Sequence, residues 1–184
     1  GDIPIYVALD SADVWSDPRS FLLDERNVPT VVAGVPPDYF CADGQLWGNP
    51  IYDWEHMKSD GYGWWIRRIE SAKRLYDVIR IDHFRGFDSY WAVPYGEETA
   101  KNGEWRTGPG IGLVGVLRDW FHDTKFIAED LGYLTPSVMQ LVKDSGFPGM
   151  KVPEFAFDSR EPSNYLPHTY TPNCGCYLGT HDNE

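Results

Sequence analysis

The stretch R-I-D-H-F-R-G-F, residues 80–87, decides the fold because its single acidic residue, Asp82, directly follows a short apolar run, residues 76–81. Two later segments repeat this arrangement: Glu129 in A-E-D-L-G and Asp182 in G-T-H-D-N each follow a short apolar run. A (β/α) barrel gathers carboxylates that follow successive buried strands at one face, where such enzymes carry out their chemistry. The sequence therefore predicts an α/β protein with an active site at the carboxyl ends of its strands.

The strands and helices are predicted from the spacing of apolar residues. Strands without strict alternation, as in parallel sheets covered on both faces, are predicted at residues 3–8, 77–81, 125–128, 152–157 and 176–178. Helical spacing predicts helices near residues 65–76 and 113–121, the second with Trp120 and Phe121 in the core. Thr135, Pro136 and Gly146 are typical of an N-cap, a first-turn proline and a stop in a third helix.

Five β units do not close an eight-stranded barrel. We therefore expect a partial parallel (β/α)8 barrel, with residues 1–184 as the central catalytic portion of a longer protein. Two intervals, residues 10–60 and 88–110, are too long and too rich in Pro and Gly for simple connections. Such long insertions are usually functional, and we expect both on the catalytic side of the sheet.

Composition and net charge indicate which class of ligand and which cell compartment to expect. The net charge of −12 argues against nucleic acid or an anionic membrane as partner and fits a neutral ligand. No apolar stretch approaches the roughly 20 residues that span a bilayer. The chain has three cysteines, Cys41, Cys174 and Cys176, and this odd number favours free thiols in a reducing compartment. Cys174 and Cys176 are interpreted as packing residues. We expect a cytoplasmic protein, or a plastid one in a plant.

Carboxylates in pairs are what glycosidic bond cleavage requires, one as nucleophile or base and one as acid. A metal centre is the alternative for Asp82-His83 and His181-Asp182, but no further ligands stand at metal-site spacing, so we expect no metal and no cofactor. A sugar-phosphate enzyme is disfavoured because no Gly-rich phosphate loop follows a strand.

Several residues have two open interpretations. Tyr39 and Trp47 lie in loop-like segments, where an aromatic ring either stacks on a sugar or anchors its own loop. His168 is equally compatible with substrate binding and with an ordinary surface position.

The motifs together resemble the amylomaltase, or 4-α-glucanotransferase (disproportionating enzyme), family, glycoside hydrolase family 77. The resemblance covers essentially the whole chain in order, through G-D-I-P-I-Y-V-A, D-S-A-D-V-W, V-A-G-V-P-P-D-Y-F, G-Q-L-W-G-N-P, R-I-D-H-F-R-G-F, A-E-D-L-G, P-G-M-K-V, L-P-H and G-T-H-D-N. One departure is Pro153-Glu154, where the family usually has Leu-Gln; a proline inside a strand removes a hydrogen-bond donor.

The resemblance implies a role for each candidate residue. Asp82 resembles the nucleophile, Glu129 the general acid/base and Asp182 the stabiliser of the transition state. Arg80 resembles the arginine that orients Asp82 and keeps it charged, and His181 the histidine that binds the donor sugar. The remaining implied substrate-binding residues are Asp38, Tyr39, Trp47, Asn49, Pro50, His83 and Asp130.

The activity that the resemblance implies is a retaining transfer of an α-1,4-glucan segment to the 4-hydroxyl of glucose or a maltooligosaccharide. The partners would be α-1,4-glucans and maltooligosaccharides. The alternative is an inactive or glucan-binding fragment of such an enzyme, because an incomplete barrel can hold the carboxylates without positioning them.

Overall fold

The structure is a computed structural model that describes residues 1–39, 41–132, 134–157 and 165–180. Its strands are β1 (Asp2–Ile3), β2 (Val31–Val35), β3 (Gln45–Pro50), β4 (Val78–Ile81), β5 (Ser89–Pro94), β6 (Glu104–Thr107), β7 (Lys125–Ala128), β8 (Gly149–Lys151) and β9 (Cys174–Cys176). Its helices are α1 (Ala12–Ser16), α2 (Trp54–Ser59), α3 (Gly63–Lys73), α4 (Ile111–Trp120) and α5 (Pro136–Ser145).

A parallel three-stranded sheet in the order β1-β4-β7 forms the centre of the molecule. Ile79 and Ile81 of β4 are fully buried, as expected of a central parallel strand. The main-chain N–H of Ala128 donates to the carbonyl of Pro148 at 2.9 Å, which ties β7 to the start of β8. β8 in turn pairs in parallel with β9. The fold is therefore α/β, with two parallel sheets, β1-β4-β7 and β8-β9.

A second sheet is antiparallel, has the order β3-β2-β5-β6, and was not predicted. β2 and β3 come from the interval 10–60, and β5 and β6 come from the interval 88–110. The two intervals join where Val31 to Gly34 pair with Trp91 to Pro94. The expected separate loops thus pair with each other and form one structured unit.

The helices cover the parallel sheet through apolar side chains that are fully buried, among them Trp65, Ile69, Leu113 and Leu117. The predicted ends of α5 are confirmed. The side chain of Thr135 accepts from the N–H of Val138 at 3.4 Å, and Gly146 ends the helix with φ +73°, a left-handed conformation that glycine adopts without strain.

Four sequence predictions are corrected by the structure. Residues 152–157 are not a strand: Pro153–Phe157 is a 3-10 turn, because Pro153 has no N–H for a ladder. The strand expected at 3–8 ends at Ile3, before Pro4. The strand expected at 176–178 lies at Cys174–Cys176. Trp120, predicted in the core, is 63% exposed, whereas its neighbour Phe121 is buried.

No helix in the described part of the chain is long and apolar enough to cross a bilayer.

Candidate active site

Asp82 and Glu129 occupy equivalent positions on neighbouring strands. The register pairs Ile81 of β4 with Ala128 of β7, so each carboxylate is the first residue after its strand. The N–H of Glu129 donates to the carbonyl of Ile81 at 3.0 Å, which extends the ladder by one residue. Because parallel strands lie about 4.8 Å apart, this register brings the two acidic residues side by side.

Both carboxylates line one cavity of about 410 Å³, which we call the carboxylate cleft. Its wall also contains Trp47, Arg80, His83 and Phe155. The strands supply the charged groups, whereas Trp47 comes from β3 of the antiparallel sheet. The interval 10–60 therefore reaches the site, as expected for a functional insertion.

Arg80 connects three partners around the cleft. Its Nη2 pairs with Oδ1 of Asp82 at 2.9 Å, and its Nη1 donates to both carboxylate oxygens of Asp2 at 2.7 Å. Its Nε donates to the sulfur of Met150 at 3.2 Å. Burial acts to lower the pKa of Arg80, but the hydrogen bond and charge of Asp2, with the charges of Asp82 and Glu129, raise it by more. The guanidinium is therefore a fixed positive charge beside Asp82.

Glu129 is held by two main-chain donors: the N–H of His83 reaches Oε2 at 2.7 Å and the N–H of Leu131 reaches Oε1 at 2.7 Å. Burial raises the pKa of Glu129, and the charge of Asp82 raises it further. The two N–H donors and Arg80 act in the opposite direction, but the net shift is upward. The cleft thus holds one carboxyl whose pKa is raised next to one that is paired with a cation, an arrangement compatible with acid–base chemistry.

His83 and Trp47 form one wall of the cleft. Their rings meet edge to face, with centroids 4.8 Å apart. The ring of Tyr6 also meets the ring of Trp47 edge to face, with centroids 6.2 Å apart. Burial, with the nearby charge of Arg85, lowers the pKa of His83 to about 4. The imidazole is therefore neutral at physiological pH, and the wall it forms with Trp47 is uncharged.

The other predicted substrate-binding residues are placed as follows. Tyr39 is 87% exposed, and the carboxylate of neighbouring Asp38 accepts from the N–H of Cys41 at 2.7 Å. The amide of Asn49 donates to the carbonyl of Val7 at 2.9 Å, and Pro50 is buried in β3.

Asp130 is only 7% exposed, and its carboxylate accepts from the N–H of Met150 at 2.6 Å. His168 is exposed in the 3-10 turn Pro167–Thr169. His181 and Asp182 lie outside the described residues.

Asp2, Met150 and Phe155 lie at the site without having been predicted there. Asp2 stands opposite Arg80 in the register of β1 and β4, so an acidic residue opposite an arginine was the available signal. Met150 and Phe155 carry no such signal, since apolar residues near a strand are ordinary core positions. Within the described residues, no group of three His, Cys, Asp or Glu side chains could hold a metal ion.

Comparison with known proteins decides the family. The sequence model of a family described as 4-alpha-glucanotransferase matches residues 1–184. The chain belongs to this family, glycoside hydrolase family 77. A 4-alpha-glucanotransferase from Clostridium butyricum is 54% identical over 185 residues, which cover 100% of this chain and 38% of the relative. One from Thermus thermophilus is 50% identical over 187 residues, with 100% of this chain and 37% of the relative covered.

A solved structure of the family has the same fold. Amylomaltase from Streptococcus agalactiae, solved in complex with acarbose, superposes with a TM-score of 0.94 at 47% identity and covers 100% of this chain and 37% of that chain. The chain thus spans between a third and two fifths of the length of the family members that it matches.

Proposed function

We propose that the full-length protein carrying this segment is a 4-α-glucanotransferase, and that residues 1–184 are the central catalytic part of a (β/α)8 barrel. The observation that carries the proposal is the register of β4 and β7, which sets Asp82 beside Glu129 at one cleft with Arg80 paired to Asp82. Family membership and the TM-score of 0.94 to a family member support it.

The proposed reaction has two steps, each with inversion at C1, so the α configuration is retained. In the first, a carboxylate oxygen of Asp82 attacks C1 of the donor sugar, and the C1–O bond breaks as Glu129 gives its proton to the leaving oxygen. In the second, the 4-hydroxyl of an acceptor gives its proton to Glu129 and attacks C1. The bond between C1 and Asp82 breaks, and both carboxyls return to their starting states.

Five further predicted residues enter the proposal. Trp47 and His83 form an uncharged wall suited to the apolar face of a sugar ring. Tyr39, which is 87% exposed, is proposed to contact the glucan at the rim. Asp182 is proposed as the stabiliser of the positively charged transition state, and His181 as a ligand of the donor sugar.

The substrates we propose are α-1,4-glucans and maltooligosaccharides, which are neutral and suit a chain of net charge −12. We propose a cytoplasmic enzyme, because Cys41, Cys174 and Cys176 are all free thiols. A plastid is the alternative in a plant, since the Arabidopsis thaliana relative is described as chloroplastic/amyloplastic.

The test is a chimera in which this segment replaces the matching stretch of the Clostridium butyricum relative, which is 54% identical. Incubated with maltotriose, the chimera should produce shorter and longer maltooligosaccharides on a thin-layer plate while the total number of reducing ends stays constant. Transfer conserves glycosidic bonds, whereas hydrolysis adds a reducing end for every bond cut.

The matched control is the same chimera with Asp82→Asn, which should produce no new sugars. A chimera that only hydrolyses maltotriose, or an active Asp82→Asn variant, would refute the proposal. Binding of maltotriose without turnover in a folded chimera would instead support the glucan-binding alternative.

A further inference from the structure

The third contact of Arg80 differs in kind from the other two. Nη1 and Nη2 face the carboxylates of Asp2 and Asp82, whereas Nε–H points at the thioether sulfur of Met150 at 3.2 Å. A thioether is a neutral and weak acceptor. It can fix the direction of the Nε–H bond without placing a third negative charge against the guanidinium, so the positive charge is left for the two carboxylates.

Met150 is held in place by groups outside the carboxylate cleft. Met150 is 2% exposed, and its N–H donates to Oδ1 of Asp130 at 2.6 Å. Gly149 leaves the room for this contact: a Cβ at that position would lie 2.5 Å from Oδ2 of Asp130. Methionine has three rotatable bonds, so a fixed main chain and close packing around the buried residue are both needed to give its sulfur a defined position.

The burial of Asp130 indicates that its hydrogen bond with the N–H of Met150 does more than fill space. A carboxylate that is 7% exposed loses much of its hydration, and burial raises the pKa of Asp130 despite the hydrogen bond from Met150 and the charge of Lys151. An apolar residue would avoid this cost if filling space were the only requirement. The carboxylate instead anchors the first turn after β7 to the strand β8.

We propose that Met150 is a positioning residue for Arg80, and that Asp130 holds Met150 in position for it. The order of contacts is Asp130 to the Met150 main chain, the Met150 sulfur to Arg80, and Arg80 to Asp82. The inference rests on the proposed function, in which Asp82 is the nucleophile. It assigns Asp130 to the support of the site rather than to contact with the sugar.

The first test measures the contact itself in the chimera described above, with 15N-labelled arginine. The Nε–H signal of Arg80 should exchange slowly with water in the parent chimera and at least about tenfold faster in Met150→Leu. Leucine keeps a similar apolar volume and removes the acceptor. Met57→Leu is the matched control, because Met57 is fully buried in α2 and the same substitution there should leave the Arg80 signal unchanged.

The second test measures turnover in the chimera described above. Met150→Leu should lower kcat by about tenfold or more with little change in KM, because a displaced nucleophile slows chemistry without removing a sugar contact. Asp130→Ala should have the same effect on kcat. Asp130→Asn should restore most of the rate, since its amide oxygen can still accept from the N–H of Met150.

Failure of the positioning role and failure of the proposed function give different results in these tests. Unchanged Arg80 exchange in Met150→Leu, or unchanged kcat in both Met150→Leu and Asp130→Ala, would overturn the positioning role. An inactive parent chimera would overturn the proposed function, while the exchange measurement would still decide the contact between Arg80 and Met150.

Discussion

The main-chain N–H of His83 donates a 2.7 Å hydrogen bond to Oε2 of Glu129. His83 comes directly after Asp82 and thereby holds the carboxyl of Glu129, the first residue after the neighbouring strand β7. His83 makes this contact in a left-handed conformation, with φ +51°, which a non-glycine residue adopts only at a cost. The relative position of the two carboxyls is therefore set by main chain rather than by a flexible side chain.

Substitution of His83 should show this backbone strain. His83→Gly and His83→Ala both remove the ring and keep the N–H donor to Glu129. We expect the glycine variant to be more stable than the alanine variant by about 0.5–1 kcal/mol. This difference is the strain of a left-handed alanine less the extra conformational entropy that glycine loses on folding. Urea unfolding of the two variants measures the difference, and an alanine variant as stable as the glycine variant would contradict the left-handed geometry.

The His83 ring should stay neutral well below the usual range of histidine. Burial, with the charge of Arg85, lowers the pKa of His83 to about 4. Its contribution to stability is therefore fully present above the unfolded pKa of about 6.5 and is lost as pH falls toward the folded value. NMR titration of the ring protons should show no protonation of His83 in the folded chain at about pH 5.5, where a peptide of residues 80–87 is largely protonated.

Asp130 should make stability depend on pH in the opposite sense. Burial raises its pKa, so the folded state holds the proton to higher pH than the unfolded state does. The stability that comes from this group is fully present below the ordinary carboxyl pKa and is lost as pH rises through the raised value. The parent chain should therefore lose stability relative to Asp130→Asn as pH rises from about 4 to 7, because asparagine does not titrate. A constant difference across this range, measured by urea unfolding, would show that the pKa of Asp130 is not raised.

Replacement of Glu129 should separate proton donation from nucleophilic attack. In the chimera, Glu129→Gln should lower the rate on maltotriose by about 10²–10⁴-fold, because an amide cannot protonate the leaving oxygen. Formation of the glycosyl-enzyme from α-maltosyl fluoride should be affected far less, since fluoride leaves without a proton. Equal losses on both substrates, measured as burst rates, would mean that Glu129 is not the acid.

The cap of α5 should contribute to stability independently of the site. Thr135→Ala removes the side-chain acceptor for the N–H of Val138 and should cost about 1 kcal/mol. Thr135→Ser keeps the hydroxyl, and since serine is at least as good an N-cap as threonine, its stability should stay within a few tenths of a kcal/mol of the parent. Equal urea midpoints for all three proteins would show that the cap contributes nothing.

The sequence alone predicted two of the parallel strands, β4 and β7, and the carboxylates that follow them. β4 and β7 are short apolar runs, and a buried parallel strand leaves that pattern because both faces are covered. Asp82 and Glu129 could be placed at the site for the same reason, since the first residue after such a strand has a known position. The ends of α5 were predictable because Thr135, Pro136 and Gly146 act through local backbone chemistry.

Only the tertiary structure revealed the antiparallel sheet, the buried position of Asp130 and the contact between Arg80 and Met150. Each depends on residues far apart in the chain: Val31 to Gly34 pair with residues about 60 positions later, and Arg80 meets a sulfur 70 positions away. Local patterns encode secondary structure, whereas partners at such distances are chosen by which surfaces meet when the chain folds. The sequence therefore determined which residue types follow the strands, and the packing of distant segments determined which of them face the cleft and which support it.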